Sequence, residues 1–144
     1  MNALYWLLKA VHVLCAVVWV GGMFFAYVVL RPSLTVLEPP QRMALHGQVF
    51  QRFFLVVWHA MPLIVLTGFI MIFGVFGGMA GVRWDVHVML LLGLIMAAIS
   101  LAMFFGPYRK FRVSPAPASL DAIRKLIGIN LVLGLLITVI AVLG

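Results

Sequence analysis

Four long apolar stretches, separated by short polar segments, dominate the sequence. They lie at about residues 4–30, 53–76, 84–105 and 124–143. A helix needs about 20 apolar residues to cross a bilayer core about 30 Å thick, and it satisfies its own backbone polar groups there. The pattern therefore predicts an all-α protein, a single four-span transmembrane helix bundle that occupies residues 1–144.

Proline and glycine mark the predicted ends of the spans. Pro32 follows the first span, Gly77 and Gly78 follow the second, and Pro107 follows the third. Both residue types interrupt helices, so we expect the helices to stop at these positions. Two adjacent prolines then precede residues 41–51, whose mixed apolar and polar side chains predict a short amphipathic helix along the membrane interface.

The composition agrees with a membrane location. Hydrophobic residues make up 66% of the 144 residues and charged residues only 9%, and the mean hydropathy is +1.24. A soluble domain carries about 25% charged residues, so the soluble classes are excluded. The net charge of +7 is accordingly not interpreted as a nucleic-acid-binding surface.

Lysine and arginine are distributed unequally between the two ends of the spans. Two lie at one end, and these are Lys9 and Arg83. Eight lie at the other end: Arg31, Arg42, Arg52, Arg109, Lys110, Arg112, Arg124 and Lys125. Because cytoplasmic loops carry the excess of basic residues, we expect both termini on the outer, periplasmic side of a bacterial inner membrane.

Ionisable residues at membrane depth are costly, and each one is a functional hypothesis. Lys9, His12, His59 and His87 lie within or near the spans, whereas we expect His46 in the solvent. With a rise of about 1.5 Å per residue, His12 lies about 12 Å, His87 about 6 Å and His59 about 20 Å from the outer face. These depths allow His12 to pair with either of the other two.

Two histidines on facing helices are a common way to hold haem from both sides. Trp19 follows His12 at helical spacing, and Lys9 and Arg83 lie near the outer face, where each can pair with a haem propionate. We therefore consider haem b as the cofactor. The candidate cofactor-binding residues are His12, His87, Lys9, Arg83 and Trp19, with His59 as an alternative metal ligand.

Copper is the alternative metal. Cys15, Met23, Met89 and Met96 lie in the spans together with the histidines. Thiol, thioether and imidazole groups suit monovalent copper, although no closely spaced motif concentrates them here. The three acidic residues form no pair that could support hydrolysis. A purely structural role, in which the histidines only bridge helices, is the third interpretation.

The chain resembles the copper-resistance D (CopD)-like membrane proteins along nearly its whole length. The residues that carry the resemblance are Trp6-Leu-Leu-Lys9-Ala-Val-His12, Trp19-Val-Gly-Gly22, Leu30-Arg31-Pro32, Gln51-Arg52-Phe53-Phe54, Leu66-Thr67-Gly68, Pro107-Tyr108-Arg109 and Arg124-Lys125-Leu-Ile-Gly-Ile-Asn130. This resemblance implies a small integral membrane protein connected with copper handling.

The chain is also more distantly similar to the HemJ-type protoporphyrinogen oxidases, which are small four-span haem-binding proteins. Two positions carry over, His12 after a lysine-alanine-valine segment and His87 shortly after a tryptophan. This similarity implies haem b between His12 and His87. Because two histidines would fill both axial positions of the iron, we expect a role in electron transfer or membrane redox chemistry. Candidate partners besides the lipid bilayer are a quinone, a redox partner protein and a second copy of the chain. A protoporphyrinogen oxidase-like activity is a further alternative.

Overall fold

The computed structural model describes residues 3–144, and it is all-helical. Its four long helices are α1 (Ala3–Val36), α2 (Pro39–Val75), α3 (Trp84–Val113) and α4 (Pro117–Leu143), each long and apolar enough to cross a membrane. The prediction of an all-α chain with four apolar spans is confirmed. A short 3-10 turn at Met79–Gly81 lies between α2 and α3.

Three of the four helices extend or change pitch where the sequence predicts an end. A π-helical segment, Phe25–Leu30, precedes Pro32 in α1, and a second one, Phe104–Tyr108, contains Pro107 in α3. A third, Met71–Val75, ends α2 before the glycines. Proline lacks an N–H and crowds the preceding turn, and a wider π turn accommodates both effects. The prolines therefore distort α1 and α3 without ending them.

The prediction of a separate interfacial helix at residues 41–51 is wrong. These residues form the first turns of α2, which runs without a break as an α-helix over Pro39–Ile70. Glu38 caps this helix, and its backbone N–H bonds the side chain of Gln41 in a capping box. At about 1.5 Å per residue α2 is about 55 Å long, so it extends beyond a bilayer core about 30 Å thick.

The helices form two closely packed pairs. α1 packs along α2, α3 packs along α4, and the pairs are joined mainly by contacts of α1 with α4. α1 and α3 therefore lie at opposite corners of the bundle. The most completely buried large side chains are Phe54, Met23, Met103, Ile123, Ile127 and Asn130. All of them except Asn130 belong to one hydrophobic core.

Small residues on α4 allow α1 to come close. A Cβ added at Gly128 would lie 2.7 Å from the Tyr27 ring, and one added at Gly134 would lie 2.8 Å from Val20. Close approach at small residues is a common basis of helix association in membranes. These two glycines thus serve packing within the bundle.

The outer surface of the bundle is apolar. Leu7, Leu14, Leu55, Leu91 and Val132 are each more than half exposed. Exposed apolar side chains along helices of this length face lipid, so the protein is an integral membrane protein in contact with the bilayer. Four spans would place Ala3 and Leu143 at the same face of the membrane, and the assignment of that face to the periplasm stays a prediction.

Candidate functional site

His12 of α1 forms a hydrogen bond with α2 inside the membrane. Its Nδ1 lies 2.9 Å from Oγ1 of Thr67. The Thr67 hydroxyl itself donates to the carbonyl of Leu63 at 2.7 Å. Because that proton is already used, we assign Nδ1–H of His12 as the donor to Thr67. The lone pair of the neutral ring then lies on Nε2, which is the arrangement of a metal-binding histidine oriented by an outer hydrogen bond.

Two groups of α2 fit around the His12 ring. A Cβ added at Gly68 would lie 3.3 Å from Cε1 of His12, so the glycine gives the ring room to approach. The hydroxyl of Thr67, one residue earlier on α2, holds Nδ1 of the same ring. Both neighbours belong to α2, so α2 determines the orientation of this histidine.

The Thr67 hydroxyl gives a direct test of this contact. We expect Thr67→Val, which keeps the shape and removes the oxygen, to destabilise the protein by about 0.6–1.7 kcal/mol, the range measured for interhelical hydrogen bonds in membranes. Thr138→Val is the matched control, because the Thr138 hydroxyl bonds only the Gly134 carbonyl of its own helix. Denaturant unfolding in mixed micelles measures the free energy of unfolding of both variants. Equal losses of stability would contradict a role of the His12–Thr67 hydrogen bond.

His87 lies apart from His12. It is exposed near the start of α3, and no hydrogen bond or ring contact joins the two histidines. Arg83, which precedes α3, pairs instead with Asp85 at 3.4 Å. Since α1 and α3 occupy opposite corners of the bundle, the structure does not bring the predicted axial ligands together. Their pairing around haem stays a prediction.

Lys9 and Trp19 occupy different surroundings on α1. Lys9 is exposed, and its Nζ lies 5.9 Å from the Tyr5 ring and 5.4 Å from the Trp6 ring. The Lys9 ammonium group therefore lies close to the two aromatic rings in the first turn of α1. Trp19 is 3% exposed in the core, and its indole N–H has no hydrogen-bond partner there.

His59, the alternative ligand, lines an apolar groove between α1 and α2. The groove has a volume of about 370 Å³, and Cys15 lines it from the α1 side. Nδ1 of His59 lies 2.7 Å from the Leu55 carbonyl, so the ring donates to its own helix and leaves Nε2 free. His59 and Cys15 therefore line the same groove, whereas the contact of His12 with Thr67 lies elsewhere between α1 and α2.

The expectation that His46 lies in solvent is wrong. It is 5% exposed, bonds the Arg42 carbonyl through Nδ1 at 2.9 Å, and packs against the Phe50 ring. The reason is that residues 39–52 continue α2 into contact with the other helices. His46 is a packed residue at the basic end of the bundle.

The interior also contains a set of soft sulfur donors. Met23 is fully buried, and Met61, Met96 and Met103 are 6%, 2% and 1% exposed. Together with Cys15 they belong to one continuous core. Met61 and Met103 are not among the sulfur donors predicted from the sequence, although the spacing of seven residues between Met96 and Met103 indicates a shared helix face.

The other metal-binding side chains do not cluster in this way. Among residues 3–144, no three His, Cys, Asp or Glu side chains come together as a metal site. Glu38 and Asp121 are exposed at the basic end of the bundle, and Asp85 lies near the start of α3. The four buried methionines are therefore the most numerous potential metal ligands in the described interior.

Comparison with known proteins identifies one matching family model. The family model described as copper resistance protein D (CopD) matches residues 47–143, which include His59 and His87. No curated protein and no solved structure matches the chain. The matched segment covers α3, α4 and most of α2. The chain belongs to the CopD family.

Proposed function

We propose that this protein binds monovalent copper within the membrane as a step in copper handling. The observation that carries the proposal is the continuous core of four buried methionines and one cysteine in a chain of the CopD family. Thioether and thiol groups select Cu(I) over harder ions.

The donors on α1 share one face of the helix. Cys15, Trp19 and Met23 follow one another at intervals of four residues, and all three are buried. His12 lies three residues before Cys15. From His12 to Met23 the helix rises by about 16 Å, which is about half the thickness of a bilayer core. This face offers imidazole and sulfur donors at successive depths, an arrangement suited to passing a soft cation along the helix.

The charge balance of the interior favours a monovalent ion. The core cluster that holds the four methionines and Cys15 contains no carboxylate, and the buried Asp85 near the start of α3 already pairs with Arg83. A divalent ion among the methionines would therefore keep most of its charge. A Cu(I) ion requires fewer ligands and less compensating negative charge than a divalent ion does. His12 supports this function, because its free Nε2 faces away from the bond with Thr67 and can bind a metal.

The first experiment is a Cu(I) titration of the purified protein against a chromogenic Cu(I) chelator under reducing conditions. We expect about one tightly held Cu(I) per chain and no comparable binding of Zn²⁺, because sulfur-rich sites without carboxylates prefer the softer ion. Failure to compete with the chelator, in detergent and in lipid nanodiscs alike, would overturn the proposal.

Haem b remains the second candidate function, with electron transfer to a quinone or a redox partner. The free Nε2 of His12 is the specific observation in its favour, because haem ligation needs the same nitrogen. Ligation by both His12 and His87 would require α1 and α3 to move together. An absorption spectrum of protein purified from its own host decides between the two, since haem gives a Soret band and Cu(I) gives none.

A further inference from the structure

We propose that the basic end of α3 binds the headgroup of an anionic phospholipid. A surface cavity of about 430 Å³ lies there, and its lining residues follow one another along the helix and its exit turn. They are Phe105, Gly106, Arg109, Lys110, Val113 and Ser114. This site is separate from the sulfur donors of the core and does not depend on copper binding.

The cavity offers three kinds of side chain that complement the groups of an anionic phospholipid. Arg109 and Lys110 are exposed cations, and Ser114 adds a hydroxyl donor. Phe105, which is 58% exposed, lies one turn deeper in the apolar region. A phosphate can bond the cations and the hydroxyl, while the upper part of an acyl chain packs on the phenylalanine.

The two cations are free to bind an external anion. Neither Arg109 nor Lys110 forms an ion pair within residues 3–144, whereas the nearby Arg124 pairs with Asp121 at 3.6 Å. The neighbouring Arg112 stacks on the rings of Tyr108 and Phe104, on the side of α3 that faces the bundle. Two adjacent cations thus face outward at the bilayer surface with no carboxylate beside them.

The backbone provides space between these groups. A Cβ added at Gly106 would have no neighbour within 4 Å, so the glycine leaves an open notch one turn before Lys110. The π-helical turn at Phe104–Tyr108 surrounds this notch. A lipid headgroup can therefore approach the helix closely below the cations.

The test compares lipid retention by two double variants that lose equal charge. Arg109→Gln with Lys110→Gln removes the cations of the cavity, and Arg52→Gln with Lys125→Gln removes two exposed cations from the same end of the bundle. The proteins are purified in detergent, mixed with phosphatidylglycerol or phosphatidylcholine, and examined by native mass spectrometry. Helix content by circular dichroism confirms that each variant is folded.

We expect wild type and the Arg52/Lys125 variant to retain phosphatidylglycerol in preference to phosphatidylcholine. The Arg109/Lys110 variant should bind phosphatidylglycerol about 25-fold more weakly, because each lost cation accounts for about fivefold. An equal loss of phosphatidylglycerol binding in both double variants would show that the lipid responds only to general surface charge. That result would overturn the proposed site. Displacement of the lipid by inorganic phosphate at equal concentration would show a free-anion site and would overturn the lipid assignment.

Discussion

Replacing Met23 and Met96 together by leucine should weaken Cu(I) binding at least tenfold while the bundle stays folded. Both side chains are almost completely buried in the same core, one on α1 and the other on α3. Leucine has a similar volume and no sulfur, and such exchanges usually cost less than about 1.5 kcal/mol each. The loss would therefore report the missing thioethers. Chelator competition measures the affinity, and thermal unfolding in detergent measures the stability.

Met79→Leu is the matched control for this experiment. Met79 lies in the 3-10 turn between α2 and α3, outside the core. We expect this variant to bind Cu(I) as the wild type does. The Cys15→Ala variant tests the thiol, which is the second type of sulfur donor. It should bind Cu(I) more weakly if the thiol takes part. Unchanged affinity in both the double methionine variant and the Cys15 variant would assign the sulfur atoms to packing alone.

The helices could be predicted from the sequence because a bilayer requires long apolar segments. Their ends could not, since Pro32 and Pro107 usually stop helices. In this structure each proline is accommodated by a π-helical turn, which depends on how neighbouring helices support the distorted backbone. The start of α2 differs from the prediction for a related reason, because its first turns pack on α3 through contacts of the Phe50 ring with Tyr108 and Phe111.

The position of His12 along α1 could be predicted from the sequence, but the helix that its side chain contacts could not. The sequence predicts His12 inside the membrane, and the structure places it in the long apolar helix α1. The partner of His12 depends on how α1 is rotated against its neighbours, and the four spans do not fix that rotation by themselves. Thr67 was therefore missed as its partner. Its hydroxyl is a modest signal, since a threonine in a helix commonly bonds its own backbone, as Thr67 also does.

A single buried amide on α4 gives the second large expected effect. Asn130 is fully buried at the midpoint of α4, and its Nδ2 donates to the Met96 carbonyl at 3.2 Å and to Ser100 Oγ at 3.0 Å. We expect Asn130→Asp to destabilise the bundle by about 2.5–3.5 kcal/mol, the cost of an aspartate at the centre of a membrane helix. Denaturant unfolding in mixed micelles measures this loss.

The reason lies in the number of donors at this position. The amide gives two N–H groups to two acceptors on α3, whereas an ionised carboxylate has none and would face the Met96 carbonyl. Asn130→Leu should cost only about 1 kcal/mol, because it loses both bonds but also removes Oδ1, which has no partner in the core. Ser100→Ala removes one acceptor and should cost less still. If aspartate were tolerated as well as leucine, then α3 and α4 would be held by apolar packing, and the buried amide would not be needed to align them.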